Sequence, residues 1–133
     1  MRYINIDVDD KKLIDEAIAV IKRNYAEPRH IVGAAVLCAS GKIYTGVNIE
    51  SCGYGPCAEP IAIGAAISQG EREIVSIVGV VVRGNSFRVE SPCGNCRQLL
   101  FDYAPDCMVI ITHNARVVKV RVRELLPDAY SNF

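Results

Sequence analysis

Apolar side chains recur along this chain with two periods, one helical and one strand-like, and the changes of period divide it into elements. Leu13, Ile14, Ala17, Ile18 and Ile21 follow one helix face, with Asp9 or Asp10 placed to cap it. That helix should end near Tyr25, before Pro28. Residues 31–39 are a continuous small and apolar run, Ser40-Gly41 reads as a turn, and residues 42–49 resume with β-branched and aromatic side chains. The pattern predicts a hairpin, with Cys38 buried in its first strand as a small hydrophobe.

Residues 51–56 contain two glycines and a proline and read as a loop, which leaves Cys57 near the start of a helical run ending around Gly70. Pro60 is acceptable there, because first-turn N–H groups have no partner inside a helix. Residues 74–82 are almost wholly apolar, as in a central strand covered on both faces. Residues 83–90 read as a polar loop leading to Pro92-Cys93, and residues 95–103 as a second cysteine-bearing helix. Residues 107–111 and 117–122 are strand-like and joined through His113-Asn114-Ala115-Arg116, too short for a helical crossover, so they should be antiparallel. Leu125-Leu126-Pro127 closes the chain with a short turn or helix ending near Tyr130. The expected architecture is an α/β three-layer sandwich of about five mixed strands, the last two antiparallel, with both cysteine-bearing helices on one face.

Composition narrows the function without choosing it. At 133 residues the chain is expected to form one domain, residues 1–133, and a domain of this length buries roughly two thirds of its unfolded surface. Lys plus Arg and Asp plus Glu number 15 each, so no global positive field favours a nucleic-acid partner. Basic residues between 116 and 123 alternate with valines, as on one solvated strand face. No run approaches the roughly 20 apolar residues of a membrane helix. The start, Met1 to Asp7, lacks the features of a secretory signal, so the expected location is cytoplasmic. Six cysteines in such a chain argue against a disulfide framework.

Two short motifs carry the chemistry: Cys57-Ala58-Glu59 and Cys93-Gly94-Asn95-Cys96. Three cysteines with one nearby acid describe an open zinc site, in which three protein ligands leave the fourth position to water. Zinc lowers the pKa of that water to about 7, and Glu59 is placed to take its proton. Each motif sits at a predicted helix start, where the dipole and unpaired N–H groups favour thiolate over thiol. A redox Cys-x-x-Cys pair would leave Cys57 and Glu59 without a purpose.

From about Ile31 to Tyr130, with these motifs at their centre, the sequence strongly resembles the cytidine deaminase family and its blasticidin deaminase relatives. The resemblance implies the same fold, bound Zn2+ on Cys57, Cys93 and Cys96, and Glu59 as the proton carrier. It also implies that Asn48 and Glu50 bind the ribose, while the Ala58 N–H and the Ser91 carbonyl fix the ring. His30 stands where the family often has an aromatic that stacks on the pyrimidine. Tyr130 matches an aromatic that reaches a neighbouring subunit's base pocket, in keeping with a homotetramer, or failing that a dimer.

The family's arginine after Cys-Ala-Glu is Pro60 here, and the blasticidin enzymes' arginine between the paired cysteines is Asn95, so the thiolates should lean on helix N–H groups and make the zinc electron-rich. The implied activity is deamination of cytidine and deoxycytidine, in pyrimidine salvage, without nucleic-acid or membrane partners. The final antiparallel hairpin resembles the small-nucleoside branch. The rival readings are a deaminase of another amino-heterocycle, such as blasticidin S or a free base, and a noncatalytic zinc- or nucleoside-binding module.

Overall fold

A computed structural model describes residues 2–133. Its first helix, α1 (Val8–Asn24), begins earlier than its aspartates suggest, because Asp7 and Asp10 cap it reciprocally. The Asp7 carboxylate accepts from the Asp10 N–H at 3.0 Å, and the Asp10 carboxylate accepts from the Asp7 N–H at 2.9 Å. Two otherwise unpaired donors are satisfied in this way, which corrects the expected cap at Asp9 or Asp10 to Asp7. Asp10 itself is buried and receives Lys119 Nζ at 2.7 Å.

Among the described residues the sheet has seven strands: β1 (Ile4–Asn5), β2 (Val32–Cys38), β3 (Ile43–Val47), β4 (Ile74–Arg83), β5 (Ser86–Glu90), β6 (Met108–His113) and β7 (Arg116–Arg121). Their order is β1-β7-β6-β4-β2-β3, with β5 also paired to β4. Strands β4 and β6 run parallel, and the other described pairings are antiparallel. The predicted hairpins β2–β3 and β6–β7 are present, and β4 is the buried central strand. A short 3-10 helix, Val122–Leu125, closes the last strand slightly earlier than Leu125-Leu126-Pro127 suggests.

Two strands exceed the expected count of about five. The two-residue β1 is too short to carry a periodic signal. The β5 strand replaces the expected polar loop, and its signal is legible in retrospect. Gly84-Asn85 is a two-residue turn between Arg83 and Ser86, with positive φ (61°) at its first residue, as tight hairpins of one common type require. The following Ser86-Phe87-Arg88-Val89-Glu90 alternates polar and apolar, but only Val89 is buried, so the stretch reads as hydrophilic.

Helices cover both faces, giving the three layers. On one, Leu13 and Ala17 of α1 pack against Ala35, Val78, Val80 and Ile110. On the other, α2 (Ala58–Ser68) and α3 (Gly94–Tyr103) place Ala62, Ile63, Ala66 and Leu100 over Ala34, Val36, Ile77 and Val109. Each fully buried Ile or Leu contributes about 1.5–3 kcal/mol relative to exposure. Helix α2 lies directly on β3, since a Cβ on Gly46 would stand 2.6 Å from the Ala62 backbone nitrogen. That contact sets the height of the α2 N-terminus above the sheet, and with it the first functional motif.

Candidate active site

Cys57 and Cys93 are the N-cap residues of α2 and α3, both with extended backbones (φ −63°, ψ 168° and φ −69°, ψ 172°), and neither thiol caps its own helix. Both thiols are therefore free to turn toward each other. Cys96 lies one turn into α3 and is fully buried. Cys93 Sγ stands 3.5 Å from both Cys57 Sγ and Cys96 Sγ, and all three sulfurs lie within 4.8 Å of one another. Tetrahedral zinc, with Zn–S near 2.3 Å, sets its sulfur ligands about 3.8 Å apart, so this soft triangle fits the ion.

The thiols differ in their readiness to ionise. Burial opposes thiolate formation at Cys93, but the Cys96 N–H, the two neighbouring thiols and the Asn95 N–H outweigh it and hold the group below its ordinary value. Burial pushes Cys57 and Cys96 up, with the adjacent sulfurs and Glu59 adding to the effect at Cys96. A coordinated divalent cation overrides such costs, since a metal-bound thiol is deprotonated outright. Arg97 bonds elsewhere: its guanidinium donates to the Pro92 carbonyl at 2.8 Å and the Leu125 carbonyl at 3.0 Å, bracing the ligand loop against the closing 3-10 helix.

Glu59, the second residue of α2, is only 7% exposed. Burial pushes its carboxyl up, partly countered by its own backbone N–H and the Cys96 thiol. Beneath it lies Gly79 of β4, where an added Cβ would be 3.0 Å from Glu59 Oε2 and 3.4 Å from Cδ. Gly79 was not singled out from the sequence, although a lone glycine inside an apolar strand signals close approach of another group. The β4 strand thus leaves room for this carboxylate.

A cavity of about 330 Å³ opens over the site, within the range of small-molecule pockets. Cys57, Ala58, Glu59 and Cys93 line it, and Asn48, Glu50 and Ser91 belong to the same cavity. Asn48 is 5% exposed and largely committed to its own chain. Its Oδ1 accepts from the N–H groups of Ile31 and Val32 at 3.0 Å each, and its Nδ2 donates to the Arg29 carbonyl at 2.7 Å. The remaining amide hydrogen points to Glu50 Oε1 at a long 3.4 Å.

His30 is half-buried and its Nδ1 stands 2.8 Å from the Asn48 carbonyl, beside the cavity rather than among its lining groups. Tyr130 is 74% exposed on the C-terminal segment, outside the cavity of its own chain, with its carbonyl held by Gln98 Nε2 at 3.0 Å. Cys52 is exposed in the preceding loop, Cys38 is buried as expected, and His113 stacks on Tyr3 at 3.9 Å between ring centroids. Among the described residues no helix is long and apolar enough to cross a membrane.

Comparison with known proteins agrees with this geometry. Residues 7–112 match the family of the cytidine and deoxycytidylate deaminase zinc-binding region. The chain is 41% identical to a blasticidin-S deaminase of Bacillus cereus, covering 98% of this chain and 99% of that protein. It is 36% identical to a cytidine deaminase of Halalkalibacterium halodurans, covering 93% and 96% respectively. The crystal structure of cytidine deaminase from Mycobacterium tuberculosis superposes with a TM-score of 0.77 at 33% identity, over 95% of this chain and all of the other (100%). The cysteine triangle, the buried acid beside it and these matches over nearly the whole length agree, and the chain belongs to the cytidine deaminase family of zinc-dependent hydrolases.

Proposed function

We propose that this protein hydrolyses cytidine and deoxycytidine to uridine and deoxyuridine, with release of ammonia. The observation that carries the reading is the Cys57, Cys93 and Cys96 triangle beside buried Glu59, in a cavity that also contains Asn48 and Glu50. Bound zinc supplies Lewis acidity that makes water nucleophilic near neutral pH. Glu59 takes the water's proton, delivers it to N3 as C4 is attacked, and carries the second proton to the departing amine. Positioned proton transfer of this kind contributes about 100- to 10,000-fold.

The Ala58 N–H, at the first position of α2, has no partner within the helix and is available to the ring, with the Ser91 carbonyl as the complementary acceptor. Asn48 has one amide hydrogen left, aimed at Glu50. A sugar hydroxyl that accepts from Asn48 and donates to Glu50 would replace that long contact with two better ones. In this reading His30 braces the wall through the Asn48 carbonyl, and Tyr130 extends from each chain toward the base pocket of a neighbouring copy. The enzyme acts as a cytoplasmic homotetramer of single-domain chains, residues 1–133, in pyrimidine salvage.

A second reading, deamination of a blasticidin-S-like cytosine nucleoside, is favoured by the identity to the Bacillus cereus protein. The test is ammonia release by purified, zinc-loaded protein from cytidine, deoxycytidine, cytosine and blasticidin S in parallel, with Glu59→Gln as control. Turnover of the two nucleosides, lost in Glu59→Gln with zinc retained, is the expected result. Turnover of blasticidin S or cytosine alone overturns the substrate assignment, and zinc binding without any ammonia release makes the protein a noncatalytic module.

A further inference from the structure

The cavity is also lined by charged groups that take no part in the proton transfers. Glu90 is matched by Arg88 at 3.3 Å, and Glu50 has the Asn48 amide beside it. Arg83 also lines the cavity, yet its guanidinium has no ion pair and no hydrogen bond among the described residues. It ends β4 and pairs with Ser86 across the Gly84-Asn85 turn, and its carbonyl accepts from Ser86 Oγ at 2.9 Å. The cation therefore projects from a tight hairpin, and its backbone position is fixed in the way a recognition residue requires.

The sheet register relates this cation to the sugar-side acid. Gly33 of β2 faces Val47 of β3 on one side and Val80 of β4 on the other. The ends of β3 and β4 therefore lie at the same edge of the site, two strand spacings or roughly 10 Å apart. The segment after β3 carries Glu50 and the end of β4 carries Arg83, so two lining groups of opposite sign stand at the same edge of the sheet. The other charged side chains lining the cavity, Glu50, Glu59 and Glu90, are all acidic. A lone guanidinium there offers planar, forked donors that suit a phosphate or carboxylate and has no comparable use for a neutral nucleoside.

We infer that Arg83 determines specificity by favouring substrates whose sugar end carries an anionic group, a phosphate or a carboxylate. The inference rests on the cytosine-nucleoside reading of the same cavity. Its test compares kcat/KM of the zinc-loaded enzyme for cytidine, cytidine 5′-monophosphate and the 5′-carboxylate of cytidine, in wild type, Arg83→Gln and Arg83→Lys. Arg83→Gln should lower the anionic-to-neutral ratio by about 10-fold or more, as loss of a charge-assisted hydrogen bond implies, with cytidine itself little changed. Arg83→Lys should restore part of the ratio, and the better of the two anionic substrates identifies the group. An unchanged ratio in Arg83→Gln, or an equal loss for all three compounds, overturns the inference while leaving the deaminase reading intact. Failure of the wild type to release ammonia from any cytosine compound overturns both.

Discussion

Replacing Gly79 with alanine separates the placement of the Glu59 carboxylate from the other features of the site. The three atoms nearest to an added Cβ all belong to that carboxyl: Oε2 at 3.0 Å, Cδ at 3.4 Å and Oε1 at 3.9 Å. Restoring ordinary contact at 3.4 Å moves Oε2 by about 0.4 Å, and β4, paired on both sides, has less freedom to yield than a side chain. A displacement of 1 Å can cost about 100-fold in rate, so 0.4 Å scales to about 5- to 10-fold in kcat, or roughly 1 kcal/mol. Gly79 lies in ordinary strand backbone that alanine adopts freely, so thermal stability should hold or rise, because alanine leaves the unfolded chain less entropy. Zinc content should not change, since no thiol is among the nearest atoms. The assay is kcat and KM for cytidine, with zinc stoichiometry and melting temperature on the same preparation. An unchanged kcat, or a loss of activity that follows loss of zinc, would refute the reasoning.

Two further predictions concern hydrogen bonds that tie loops to the sheet and to α2. Asn48→Ala leaves the N–H groups of Ile31 and Val32 without their acceptor, which should cost about 2–4 kcal/mol of stability in urea unfolding; a loss well under 1 kcal/mol would mean that water replaces the amide without penalty. Just beyond the C-terminal end of α2, the Ser40 and Tyr44 hydroxyls donate to Glu71 and hold its carboxyl below its ordinary value of 4.5, while the same contact pushes Tyr44 up to about 12. A depressed acid contributes stability above its unfolded pKa and loses it as pH falls through the folded pKa. Glu71→Gln should therefore be less stable than wild type at neutral pH, with the gap closing below about pH 4.5, and a gap that stays constant through the acid range contradicts the assignment.

The parts of this site that were legible in the sequence and the parts that were not differ in how far apart their determinants lie along the chain. Cys57 and Glu59 share the first turn of α2, and Cys93 and Cys96 the first turn of α3. Their chemistry is encoded within a few residues, where helix geometry fixes spacing and the helix end supplies N–H groups. Gly79 and Arg83 matter only because β4 has a particular register against β2 and a particular height beneath α2. No local periodicity specifies either. The β5 hairpin was concealed for a related reason: one buried valine suffices to hold a strand that pairs with an interior neighbour, so its other side chains are free to be polar. The thiolate charge illustrates both levels. Pro60 and Asn95 bring no positive charge to the cysteines, and the fold supplies N–H groups of Cys96 and Asn95 to Cys93 while engaging Arg97 with carbonyls. The groups assigned to the reaction thus lie in the two short motifs, and the turn at the end of β4 can change without disturbing them. Relatives with the same zinc motifs and different substrates should differ at the positions equivalent to Arg83 and its hairpin before they differ at any ligand.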